Sequence, residues 1–165
     1  ISGLEIASDI LKVRGKVIPI TSNKAVLSMK LCDGKIIEGE HKIRIEVKAS
    51  RAVDGDSSEP LYVKALSYDS KSSFWMNFQQ IKPAHCEVFV WMAVWRDTIK
   101  YWVLSSDEVL NNKYYSKGQH RGNVGEGQLH IKEDNIADFQ IYEVKSNEIK
   151  EAIIRAYERQ KGITI

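Results

Sequence analysis

Four Glu-x-Lys triplets occur in the chain: Glu40 to Lys42, Glu46 to Lys48, Glu143 to Lys145 and Glu148 to Lys150. A carboxylate binds a hard divalent cation, and an ammonium two residues on, facing the same side, can hold a phosphate or orient water beside it. That chemistry asks for a strand, because alternate strand residues share a face whereas helical residues two apart diverge. Glu148 and Lys150 fall in a helical pattern, and Glu40 to Lys42 crosses the turn expected at Gly39-Glu40. IEVKAS and IYEVKS remain. Only one helix comes after the second, so no later strand can flank it, whereas at least two strands come after Glu46 and Lys48.

A cation site needs a second acid. Between Asp9 and Asp54 the chain offers one aspartate, Asp33, thirteen residues before Glu46. The intervening strand-turn-strand pattern lets a hairpin bring Asp33 beside Glu46. Bland readings fit the same residues: Asp33-Gly34 is a common hairpin turn, and Glu46 with Lys48 fits a cross-strand charged face. Arg44 shares that face and is expected in an ion pair. His41, His85, His120 and His130 have no paired ligand spacing.

The elements that must position these groups can be read from periodicity. LEIASDILKVRG sets Leu4, Ala7 and Leu11 on one helical stripe, with Gly15 as a stop. KVIPITSN and VLSMKL read as strands. In KIRIEVK, Ile43, Ile45 and Val47 face one way and Arg44, Glu46 and Lys48 the other. AVDGDSSEP is a loop by composition, and FWMNFQQIKP is an aromatic-rich strand ended by Pro83. CEVFVWMAVW is apolar enough for a strand covered on both faces, paired with TIKYWVL through the turn WRDT. Trp75, Trp91, Trp95 and Trp102 are expected as core or interface aromatics. Ser105 and Glu108 form a capping box opening a short helix. Asn111 to Lys132 reads as a Gly-rich, locally basic loop, and a strand then a helix capped by Gly162 close the chain.

The 165 residues suit one domain, and an apolar fraction of 43% suffices for a core. A net charge of +2 confines any nucleic-acid surface to a local patch. Cys32 and Cys86 form no C-x-x-C pair, which points to reduced thiols in a cytoplasmic protein and away from zinc. No apolar run approaches a membrane span of about 18 residues. The chain begins with Ile and carries no leader pattern, so it is expected to be a single domain over residues 1–165, whole or excised from something longer.

The order of these features, D-x(12)-E-x-K on a hairpin after an amphipathic helix, then FWMNFQQIKP, CEVFVWMAVW and TIKYWVLSSDEV, resembles the PD-(D/E)xK nuclease superfamily over roughly residues 3–112. The resemblance implies a restriction-endonuclease-like α/β fold, a three-layer α/β/α arrangement with a central mixed sheet flanked by helices. It implies Mg2+-dependent hydrolysis of DNA phosphodiesters, leaving 5'-phosphate ends, with Mn2+ able to substitute and no small-molecule cofactor. Asp33 and Glu46 match the metal-binding acids and Lys48 the catalytic lysine. Glu5 matches an acid some members use as an extra ligand, and Gln80 a polar position in the strand after E-x-K. Cys32 stands where the family name places Pro. DNA is the implied partner and a homodimer the implied assembly, with Lys113, Lys117, His120 and Arg121 as candidate DNA contacts. A type II restriction activity is the first expectation; a structure-specific resolvase or repair nuclease, or a non-catalytic nucleic-acid-binding module, are the alternatives.

Overall fold

A computed structural model of the protein describes residues 16–21, 24–32, 35–118 and 126–163, with side chains described from residue 42 onward. The apolar strand pairs resolve into two sheets. The larger has six strands, in the spatial order β1 (Lys16–Thr21), β2 (Lys24–Cys32), β3 (Lys35–Arg51), β6 (Val88–Val94), β7 (Ile99–Ser105) and β10 (Glu143–Val144). Only β3 and β6 run parallel in it; the remaining pairs are antiparallel. The smaller has four, in the order β4 (Val53–Asp54), β5 (Phe74–Ile81), β9 (Gly127–Lys132) and β8 (Tyr115–Lys117). The chain is thus a mixed α/β protein with few helices among the described residues.

Position in the large sheet answers the first choice between triplets. β3 is interior, with β2 on one side and β6 on the other, whereas β10, which begins with Glu143, is an edge strand. β3 is also longer than KIRIEVK, at 17 residues. The Gly39-Glu40 turn expected from sequence is instead a bulge: Met29 pairs with His41 and Lys30 with Ile37, so residues 38–40 have no partner across the ladder. An unpaired excess on one strand kinks it without ending it.

The two faces of β3 meet different layers. Ile43 and Ile45 pack with Val88, Val90 and Val103 against Ile149, Ile153 and Ile154 of the closing helix α2 (Ile149–Lys161). That helix ends at Gly162, whose φ of +64° is the left-handed cap conformation glycine adopts without a Cβ penalty. The opposite face carries Phe89, Trp91, Ala93, Trp102 and Leu104, which pack against Met76, Phe78, Ile81, Leu129 and Ile131 of the small sheet. Here the layer over the second face is a sheet rather than helices. The N-terminal helix expected over residues 4–12 lies outside the described residues.

Residues 111–132 depart from the loop reading, because β8 and β9 are strands of the small sheet. Gly127 serves a close approach: a Cβ there would sit 2.3 Å from the Tyr115 ring. The capping box stands as expected. Ser105 accepts from the Glu108 backbone N–H at 3.2 Å, and Glu108 accepts from the Ser105 N–H at 2.7 Å, opening α1 (Ser106–Leu110). Among the described residues no helix is long and apolar enough to cross a membrane.

Candidate active site

Alternation along β3 turns Glu46, Lys48 and Ser50 toward the small sheet, so this stretch of the polar face is enclosed. Glu46 is 2% exposed. The Lys48 ammonium lies 2.7 Å from Glu46 Oε1 and donates to the Gln80 carbonyl at 2.8 Å. Ser50 receives the Asn77 N–H and donates to the Asn77 carbonyl, both at 3.1 Å. β4 pairs only with Phe74 and Trp75 of β5, so the rest of that edge is bare of a strand partner. Ser50 and Lys48 satisfy groups on it, as buried polar backbone requires.

Among the described residues, Glu46 Oε2 is buried and has no hydrogen-bond partner. Burying half of a carboxylate unpaired is unfavourable, since an uncompensated charge in a low dielectric loses its hydration without compensation. The resulting arrangement gives each group one committed and one uncommitted function. Glu46 offers Oε1 to Lys48, which leaves Oε2 uncommitted; Lys48 has three N–H donors, of which Glu46 and Gln80 engage two. The donor chemistry fits Mg2+, which is commonly held by one or two carboxylates together with phosphate oxygens and water.

Gln80 belongs here by its main chain. Its side chain is exposed, while its carbonyl holds Lys48. It is the one non-glycine residue with positive φ, +55°, among the described residues. The pairing of β5 with β9 slips between Phe78 and Ile81, which face Leu129 and Gly127, so Gln79 and Gln80 oppose Gln128 alone. A sequence signal existed: Met76 and Phe78 alternate, but the next buried residue is Ile81, one place late.

Arg44 forms its ion pair with Glu87 rather than Glu46. The guanidinium Nη2 is 2.6 Å from Glu87 Oε1, Nε donates to the same oxygen at 3.0 Å, and the Arg44 N–H donates to Oε2 at 2.6 Å. These hydrogen bonds hold the guanidinium pKa above its ordinary value. Sequence reading did not find Glu87; it becomes visible only once parallel pairing sets Val88 beside Ile45. At this end of the sheet a cavity of about 510 Å3 is lined by Arg44, Cys86, Glu87, Ser106, Lys117 and Lys161, among others.

The other expected residues separate. Lys117 is exposed on β8 at that cavity. Lys113 pairs with Asp138 at 2.8 Å and lies 4.9 Å from the Tyr114 ring centre, so its charge is already engaged. Asp33, Glu5, His120 and Arg121 lie outside the described residues. β2 sets Lys24 opposite Glu46 and Cys32 opposite Lys35. Cys32 is eight residues beyond Lys24, roughly 26 Å at about 3.3 Å per residue. Trp91, Trp95 and Trp102 are buried core, and Trp75 is half-buried against His130. Among the described residues no three His, Cys, Asp or Glu side chains cluster as a metal cage.

The chain matches no protein-family model, no curated protein and no solved structure.

Proposed function

We propose that the chain is a Mg2+-dependent endodeoxyribonuclease of the restriction-endonuclease-like kind, with Glu46 and Lys48 as its catalytic pair. The observation that carries this reading is the orphaned Oε2 of a carboxylate 2% exposed, next to an ammonium on the same strand face. When bound, Mg2+ would supply Lewis acidity toward the scissile phosphate and toward water. The chain's own part is to present Oε2 as a ligand and to aim Lys48. The third ammonium proton can donate to a phosphate oxygen, stabilising charge as it develops there. Enclosure between two sheets strengthens both interactions by lowering the local dielectric.

Lys117 and Lys161, both exposed at the 510 Å3 cavity that Glu87, Asp107 and Glu126 also line, are proposed as contacts to the duplex backbone. Lys113, which would exchange Asp138 for a phosphate, together with His120 and Arg121 completes the proposed contacts, two-fold dimerisation would present a second site to the other strand, and the setting is cytoplasmic. Asp33 follows Cys32, which stands at the far end of the β2–β3 ladder from Glu46, so the second acid is left unassigned and Asp33→Ala tests whether Asp33 has any part in the site. Glu5 is proposed only as an accessory acid.

The test is incubation of supercoiled plasmid, linear duplex and a four-way junction with Mg2+ or Mn2+. Wild type is compared with Asp33→Ala, Glu46→Ala and Lys48→Ala. Cleavage lost in Glu46→Ala and Lys48→Ala, with 5'-phosphate ends from wild type, is the expected result. A banded digest of linear DNA identifies a restriction enzyme, and selective resolution of the junction a resolvase. Equal cutting by all four proteins removes the site. Binding without cutting by wild type leaves the non-catalytic module.

A further inference from the structure

We infer that the β-bulge at Gln79-Gln80 is a positioning device for Lys48, acting through the Gln80 carbonyl and not through its amide side chain. This rests on the reading of Lys48 as catalytic, but its geometry stands independently. A lysine carries four rotatable side-chain bonds, and pairing to Glu46 alone would let the ammonium swing about a single contact. A second acceptor from the facing sheet, 2.8 Å away, fixes it at a vertex between the two layers.

That acceptor exists because the β5–β9 register slips. Gln79 and Gln80 stand where one residue would pair with Gln128, and Gln80 takes φ +55°. In an unbroken strand the side chains of residues 79 and 80 would face opposite ways and Ile81 would lie on the outer face. The bulge restores Ile81 to the core, where it is fully buried, and turns both glutamine side chains outward. Left-handed backbone is unfavourable for a residue with a Cβ and persists only when its surroundings over-determine it. Lys48 is one such surrounding contact, and Ile81 is another. The device therefore couples a strained turn in one sheet to the placement of a charge on the other.

Three substitutions separate main chain from side chain. Gln80→Gly keeps the left-handed turn and removes the amide. Gln80→Asn tolerates the turn and keeps an amide. Gln80→Val opposes the turn, because a β-branched residue is a severe outlier at positive φ. Two readouts are used: the rate at which Lys48 is acetylated by an amine-reactive ester, tracked by mass spectrometry against exposed Lys117, and the kcat and KM of Mg2+-dependent plasmid nicking. Wild type, Gln80→Gly and Gln80→Asn should protect Lys48 alike. Gln80→Val should raise its acetylation by about tenfold and lower kcat by at least about tenfold with KM unchanged, as expected for a misplaced catalytic group.

Equal loss in Gln80→Gly and Gln80→Val would overturn the inference in favour of the amide, and unchanged Lys48 protection in Gln80→Val would overturn it outright. Should Gln80→Val fail to fold, Gln80→Ala carries the same comparison with a smaller increase, and unchanged protection there overturns the inference equally. If wild type cuts no DNA, the nuclease reading falls and acetylation alone decides the positioning.

Discussion

Glu46 and Lys48 are an ion pair whose surroundings make it a poor source of stability alone. Exposed pairs contribute roughly 0–1 kcal/mol, and removing one partner of a buried pair costs about 3–5 kcal/mol through the charge left behind. Arg44–Glu87, with half the Arg44 side chain exposed, lies nearer the first case; Glu46–Lys48, at 3% and 11%, belongs to the second. Lys48→Ala should therefore lower the unfolding free energy by about 3–5 kcal/mol, while Glu46→Leu combined with Lys48→Met should recover most of that loss. Chemical denaturation of the three proteins measures this. A Lys48→Ala loss below about 1 kcal/mol would show the pair to be solvated. Cys86 gives a second check at this scale. Burial pushes its thiol up to about 12 against the opposing Ser106 contact, so the folded protein holds the proton that an unfolded chain releases near the ordinary value of 9.0. Its contribution is complete below pH 9, and stability should decline as pH climbs from there toward 12. A thiol reagent at pH 8 should label Cys86 only after denaturant is added.

At the scale of elements, local pattern and long-range pairing divide what could be read. The β6–β7 hairpin, the Ser105 capping box and the Gly162 cap were legible because each depends on neighbours within a few residues. The central place of β3 was also legible, from the number of strands downstream of each Glu-x-Lys. The small sheet was not: β9 pairs with β5 across some fifty residues, and four glycines between 118 and 127 hid its short strands behind a loop composition. The bulge at Gln80 lay in the one-place delay of Ile81, a period error that passes for noise until the partner strand is known. Gly127 shows the same dependence, since its need for no side chain comes from Tyr115 on β8. Gly127→Ala should cost about 1–3 kcal/mol by overpacking. Joined to Tyr115→Ala it should add almost nothing, and a thermal melt of both proteins and of Tyr115→Ala alone distinguishes the outcomes.

At the scale of the molecule, among the described residues, a helix covers one face of the large sheet and a second sheet the other, and the charged side of β3 is caught between layers. Chemistry-bearing residues at a surface would be screened; here the same residues keep their field. Mixed α/β architecture and the interior strand were expected, whereas a sheet as the second covering layer was not, because nothing local in FWMNFQQI announces which sheet it joins. The proposed activity depends most on Glu46 being a metal ligand for phosphodiester cleavage. Single-turnover conversion of supercoiled to nicked plasmid in Mg2+ tests this most directly, using Glu46→Gln, which keeps shape and can still meet Lys48 while losing the charge that binds the cation. The predicted result is a folded variant, verified by its melt, that nicks at least about a hundredfold more slowly than wild type. A folded Glu46→Gln protein that nicks at the wild-type rate would contradict the claim.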